Sequence, residues 1–284
     1  MAKKPEKKEP TTTGHSWDGV EEFNNPLPRW WLITFYLTII WGIGYIIAYP
    51  AIPLINGATP GLLGYSSRAE VQKDIDEVNA RNAPLVERVN QLELAAIAGD
   101  EEVGSFAVNG GRAVFATFCS QCHGSGAAGA LGYPNLLDND WLWGGTVEDI
   151  YETISVGIRS DTNIDTRFSQ MPAFGEFLSK EEIGVLAQEV SAFSGINGAS
   201  STEEGALLYA DNCSACHAVD GTGDRFQGAP NLTDAIWLYG SNLAALEKTI
   251  TESRFGVMPA WSGRLSESQI RQASVYIHSL GGGE

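Results

Sequence analysis

The chain is poor in the residues that bind metals best. Its 284 residues include four cysteines, four histidines and three methionines, one of them the initiator. All four cysteines fall within two strings, Cys119-Ser120-Gln121-Cys122-His123 and Cys213-Ser214-Ala215-Cys216-His217. A zinc knuckle would pair the two C-x-x-C units, yet they stand 94 residues apart and each carries its own histidine. A thioredoxin-like motif would follow a strand in a βαβ pattern, which is missing. Basic side chains are scarce, 18 against 35 acidic. With no basic patch, nucleic acid is excluded as a partner. Long apolar runs are also scarce; there is one.

What is present is the C-x-x-C-H spacing, the covalent attachment signal for a c-type haem. Residues three and four apart share a helix face. Two thiols can then reach the two vinyl groups as thioethers while the adjacent histidine meets the iron from the proximal side. The formal charge of −17 is unevenly spread. Residues 1–29 hold equal numbers of basic and acidic side chains, so the remainder carries all of it. Such a surface favours encounter with a basic partner, at a rate that falls with salt.

Taken in order, residues 1–29 are polar and Pro-containing, with Lys3, Lys4, Lys7 and Lys8 near the start. They read as a flexible tail without a core, with His15 exposed to solvent. Trp30 to Tyr49 is a 20-residue run with no charged side chain, closed by Pro50. At ~1.5 Å per residue it spans about 30 Å, one hydrocarbon core. Trp30 and Trp31 at one end, and Tyr45 and Tyr49 at the other, suit the two interfaces. The run is longer than a signal peptide's apolar region, and no A-x-A-like site follows. A transmembrane anchor in a lipid bilayer is the expectation. The lysines place its N-terminal side in the cytoplasm and both attachment motifs outside. Gly42 and Gly44, with Thr34 and Thr38, offer a face for close helix packing. Residues 51–64 read as a loop. Ser67-Arg68-Ala69-Glu70 resembles a capping box that opens a helix, and Pro84 is expected to interrupt it. That segment reads either as an amphipathic spacer against another surface or as a solvated linker.

The rest repeats itself. Asn109 to Cys119 parallels Glu203 to Cys213, and Pro134-Asn135-Leu136 parallels Pro230-Asn231-Leu232. Trp141-Leu142-Trp143-Gly144 parallels Trp237-Leu238-Tyr239-Gly240. Met171-Pro172-Ala173-Phe174 parallels Met258-Pro259-Ala260-Trp261, and an N-capped final helix follows each. The offset is 94 at the cysteines, 96 at the tryptophans and 87 at the methionines, so the first copy is longer, mostly through Arg159 to Arg167. Residues 194–201 join the two copies.

Met171 and Met258 are the only methionines beyond the initiator, and they stand at matching places. Both are therefore candidate distal ligands. Thioether sulfur favours reduced iron, and His/Met ligation raises the potential relative to His/His. Spacing alone would assign each methionine to the haem of its own repeat. Pro134 and Pro230 lie 11 and 13 residues past their histidines. Each is either a plain turn residue or the carbonyl that accepts the imidazole Nδ1–H. Trp141, Trp143, Trp237 and Tyr239 are candidates to pack on the macrocycle. His278, on the last helix, reads as a surface or structural histidine. Iron held by histidine and methionine has no open position for substrate, which points to electron transfer rather than catalysis.

One anchor followed by two such repeats resembles the dihaem subunit III (CcoP/FixP) of cbb3-type cytochrome c oxidases. The resemblance runs over nearly the whole chain, including the Asn25-Pro26-Leu27-Pro28-Arg29-Trp30-Trp31 approach to the anchor. It implies two covalent haem c groups, one on Cys119, Cys122 and His123, the other on Cys213, Cys216 and His217. It also implies exchanged distal ligands, Met171 on the second haem and Met258 on the first. The implied partners are a donor cytochrome c, a monohaem cytochrome c subunit and a haem–copper subunit that reduces oxygen and pumps protons. The expected fold is all-α, an N-terminal transmembrane helix followed by two tandem class I cytochrome c domains. The expected segments are a cytoplasmic tail (1–29), the helix (30–50), a periplasmic linker with amphipathic helices (51–102), and domains at 103–197 and 198–284. The expected location is a bacterial inner membrane with the haem domains periplasmic. The rival readings are an anchored dihaem cytochrome serving a dehydrogenase or reductase, a dihaem peroxidase, and a gas-sensing haem protein.

Overall fold

The structure is a computed structural model that describes residues 10–284. The N-terminal lysines of the orientation argument lie outside the described residues. The chain divides into two units, one reaching to Ala80 and the other running Arg81–Glu284.

In the first unit, β1 (Thr12–Trp17) and β2 (Val20–Phe23) pair antiparallel, with Trp17 opposite Val20. A flexible tail was expected here. The difference lies in Asp18-Gly19, whose φ angles of 49° and 81° suit the two-residue hairpin turn favoured by that dipeptide. Every residue of the hairpin is exposed, His15 included, so it has no core. Helix α1 (Arg29–Ala48) follows. It ends where Tyr49, preceding Pro50, turns extended, because a proline disfavours the helical region for the residue before it. None of the residues of α1 is buried, and its large apolar side chains point outward on all sides. Its two threonines satisfy their hydroxyls internally, Thr34 donating to the Trp30 carbonyl (2.9 Å) and Thr38 to that of Phe35 (2.7 Å). A helix of this kind suits hydrocarbon because its interior backbone groups and both threonine hydroxyls are satisfied within the helix. Two short strands, β3 (Pro53–Leu54) and β4 (Gly57–Ala58), pair where a loop was expected.

Helix α2 spans Ser67–Gln91. Its cap is Ser66, one residue earlier than expected, whose Oγ accepts from the Ala69 N–H (3.3 Å). Pro84 does not interrupt it. One backbone bond is forgone there, and packing beyond the proline offsets the loss. Val89 is fully buried with Leu94 and Ile97 of α3 (Leu94–Ile97), against Val103, Ala107, Val147 and Val275. Arg271 fastens the same segment by donating Nε–H to the Val89 carbonyl (2.9 Å), and it also reaches the carbonyl of Leu92. The segment after Pro84 is thus packed, while Ser67 to Arg81 is exposed.

The remainder of the second unit is helical. The first repeat forms α4 (Gly104–Val114), a π-helical turn (Phe115–Cys119), α5 (Ser120–His123), α6 (Val147–Val156) and α7 (Lys180–Phe193). The second forms α8 (Glu203–Asn212), α9 (Ser214–His217), α10 (Leu243–Glu252) and α11 (Glu267–His278). Both final helices begin with full capping boxes, Ser179 with Glu182 and Ser266 with Gln269.

The segments that pack together come from different repeats. One core joins Val114, Phe115, Ile150 and Ile154 of the first repeat to Leu265, Ile270, Ala273 and Ile277 of the second. The other joins Phe174, Ile183, Leu186 and Val190 of the first to Tyr209, Leu232, Leu246 and Ile250 of the second. The physical cause is the short join. Consecutive helices with a short connection lie side by side, so α7 folds back onto α8. The join is tied down by Ser191 Oγ, which donates to the Ile196 carbonyl (3.1 Å), and by Asn197 Nδ2, which donates to the Ser241 carbonyl (2.8 Å). Buried Glu189 accepts from Ser201 Oγ (2.8 Å) at the start of α8. With α8 taken by α7, α4 pairs with α11 instead. Both crossings need glycine. A Cβ on Gly111 would lie 2.6 Å from Cβ of Tyr276, and one on Gly205 would lie 3.2 Å from Cβ of Glu189.

Candidate functional site

Each attachment motif forms one helical turn that follows a packed helix. Cys119 and Cys213 are half-buried while Cys122 and Cys216 are exposed. Burial pushes the Cys119 and Cys213 thiols up to about 11, with the neighbouring cysteine adding to the effect. They stay protonated near neutrality, unlike the thiolates that bind zinc. The two histidines are set identically. His123 Nδ1 lies 3.1 Å from the Pro134 carbonyl, and His217 Nδ1 lies 3.1 Å from that of Pro230. The carbonyl can only accept, so Nδ1 carries the hydrogen and Nε2 keeps its lone pair. Burial also holds both imidazoles below their ordinary value, against the opposing effect of the carbonyl bond. The two prolines are therefore acceptors as well as turn residues.

A cleft of about 100 Å³ opens beside the first motif. Cys119, His123, Trp141, Met258, Trp261 and Ile277 are among the residues that line it. The methionine facing this histidine thus comes from the second repeat. Met171 packs instead against the other core, as Cys213 and Trp237 also do.

Backbone bonds hold Met258 against the first repeat. Ile158 donates to the Met258 carbonyl (2.9 Å) and Met258 donates back to that of Ile158 (3.0 Å). Further along, Ala260 N–H donates to Ser160 Oγ (3.2 Å) and Trp261 N–H to the Ile154 carbonyl (3.0 Å). On the other side, Ser253 Oγ donates to the Met171 carbonyl. Gly157 and Ser253 each directly follow the helix of their own repeat, α6 and α10, at φ 73° and 55°. Each lies beside the methionine of the other repeat.

The aromatic residues divide by role. Trp141 and Trp143 line the cleft. Trp141 donates its indole N–H to the Gly282 carbonyl (2.5 Å). Trp237, its counterpart, has a buried indole N–H with no partner. Arg167 lies 5.5 Å from the Trp143 ring and Arg254 lies 4.8 Å from the Tyr239 ring, matching cation–π contacts in the two copies. His278 bonds to the Glu284 carbonyl (2.9 Å), away from both motifs.

These features fit a haem. The cleft is apolar, the imidazoles are in ligand form, and the orphaned Trp237 N–H suits an added acceptor. The residues that sequence reasoning missed are Arg159, Gly157, Ser253 and Arg254. The one visible trace, for Arg159, was the extra length between Trp143 and Met171.

Comparison with known proteins shows the family. Residues 9–56 match the family described as the N-terminal domain of cytochrome oxidase-cbb3, FixP. Residues 106–188 and 200–277 match cytochrome c oxidase, cbb3-type, subunit III. The chain is 56% identical over 290 residues to the cbb3-type cytochrome c oxidase subunit CcoP of Cereibacter sphaeroides, covering 100% of each. It is 50% identical over 297 residues to subunit CcoP of Rhodobacter capsulatus, again covering 100% of each. Against subunit FixP of Sinorhizobium medicae it is 47% identical over 274 residues, which is 96% of this chain and 95% of that one.

Proposed function

The chain belongs to the subunit III family of cbb3-type cytochrome c oxidases, as an electron-transfer subunit that binds haem c, and on that premise we propose a two-centre relay. Other subunits of the oxidase are its partners, and α1 suits it for membrane anchoring. In the relay, electrons enter from a donor cytochrome c. They leave to a monohaem cytochrome c subunit and then the haem–copper subunit. Residues 103–197 and 198–284 each carry one attachment motif on the periplasmic side of a bacterial inner membrane, and the tail stays in the cytoplasm.

Cys119 and Cys122 hold one haem c and Cys213 and Cys216 the other. His123 and Met258 ligate the first, and His217 and Met171 the second. When bound, haem c supplies one-electron exchange between ferric and ferrous iron. The Pro134 and Pro230 carbonyls orient the imidazoles and make Nε2 a stronger donor. The methionine sulfurs favour the reduced state. Trp141, Trp143 and Trp261 keep water from the first centre, and Trp237 donates its free N–H at the second.

The observation that carries this reading is the shared cleft of His123 and Met258. Mass spectrometry of the purified chain should find two porphyrin adducts, on the Cys119/Cys122 and Cys213/Cys216 peptides. Met258→Leu should remove the far-red Met–iron charge-transfer band from the centre on Cys119/Cys122 and leave the other unchanged. A single adduct, or loss of the band at the other centre, would overturn it. Isolation of the membrane complex with a copper-containing oxidase separates this relay from service to a dehydrogenase or reductase.

A further inference from the structure

Arg159 to Arg167 holds most of the extra length of the first repeat, and the relay leaves that insertion without a task. Arg159 stands at φ 52°, where a side chain other than glycine is uncommon. Its backbone N–H donates to the Arg167 carbonyl (2.9 Å), closing the insertion into a loop. The guanidinium is half-buried and makes two hydrogen bonds. Nε–H donates to the Gly256 carbonyl (2.7 Å) and an Nη1 hydrogen donates to that of Ser169 (2.6 Å). Gly256 lies two residues before Met258, and Ser169 lies two residues before Met171. One side chain therefore grips the approach to both methionines. The ring of Phe255, 5.6 Å from the guanidinium carbon, covers it. Among the described residues no carboxylate forms an ion pair with it.

We propose that Arg159 is a positioning residue that yokes the two methionine-bearing loops, so that both distal sulfurs depend on one guanidinium. The proposal rests on the His/Met reading of both centres. A rigid fork can serve two carbonyls that point from different segments, whereas an ammonium is a single compact charge. This accounts for an insertion in one repeat only, since one fork serves both loops. An unpaired cation held between the two loops also stabilises an added electron on either side. The two centres are thus linked in ligand geometry and in potential.

The test uses the full chain in its native complex, comparing Arg159→Gln, Arg159→Lys and the unaltered protein. The readouts are the far-red Met–iron band and the midpoint potentials of both centres, together with thermal melting. Arg159→Gln should weaken the band at both centres and lower both potentials together. Arg159→Lys should keep more of the potentials than of the bands, because charge remains while one hydrogen bond is lost. If Arg159→Gln does not accumulate, Arg159→Lys carries the test at smaller amplitude. Two unchanged spectra with a lowered melting temperature would overturn the yoke and leave a merely structural arginine. A change confined to one centre would overturn it too. Absence of the Met–iron band from the unaltered protein would instead overturn the ligand reading, and the yoke with it.

Discussion

A chain stopped after Asn197 keeps the whole first repeat, including Cys119, Cys122, His123 and Met171. If each repeat were a self-contained body, this piece would fold. In the structure, its core lacks the contribution of Leu265 and α11. Leu265, Ile270, Val275 and Ile277 are each at most 6% exposed, and they pack against residues of the first repeat. Fully burying one such side chain is worth ~1.5–3 kcal/mol, so the four together amount to roughly 6–12 kcal/mol. Total stability of a domain is only about 5–15 kcal/mol. The anchoring of Val89 and Leu92 by Arg271 disappears as well, and so does Met258 from the cleft. The truncated chain should therefore lose its cooperative thermal transition by circular dichroism. Any haem attached to it should be high-spin and bind carbon monoxide readily when reduced. A sharp melt close to that of the full chain, with a low-spin His/Met spectrum, would refute the exchanged core.

A second prediction concerns Gly157. Its φ of 73° already disfavours a side chain, and a Cβ there would sit 2.5 Å from the Met258 carbonyl. Gly157→Ala should push the Met258 loop outward and weaken the Met–iron band at the Cys119/Cys122 centre while sparing the other, as absorption spectra of the two centres would show. A third concerns pH. Burial first, then Asp234 and Asp138, push the Asp140 carboxyl up to about 6, with Arg225 opposing. A carboxyl with a raised folded pKa binds its proton more tightly folded than unfolded, so stability declines as pH rises from about 4 to about 6. Asp140→Asn should flatten that decline and raise the melting temperature at pH 7 relative to the unaltered chain. Equal slopes of melting temperature against pH for the two proteins would contradict it.

Much of the site was legible from covalent spacing. Two thiols and an imidazole three and four residues apart present one face of a helical turn in any context, so Cys119 to His123 and Cys213 to His217 needed no tertiary information. The apolar run of α1 was equally plain, because hydrocarbon requires a continuous stretch of fixed length. The N-caps of the two final helices, Ser179 and Ser266, were visible for the same local reason. The β1–β2 hairpin and the passage of α2 through Pro84 were not. In the first, an Asp-Gly turn outweighed a polar composition; in the second, packing around Val89 outweighed a missing backbone bond.

By itself, the sequence determined the two C-x-x-C-H motifs, the number of repeats and the membrane-compatible helix. Each of these depends on residues close together along the chain. Only the tertiary structure decided that Met258 rather than Met171 shares a cleft with His123, and that Arg159 reaches both loops. Sequence distance favours the nearer methionine, but a short join lays α7 on α8 and leaves α4 to α11. Met258 travels with the final helix of its repeat, so the pairing of α4 with α11 carries it to the cleft beside His123.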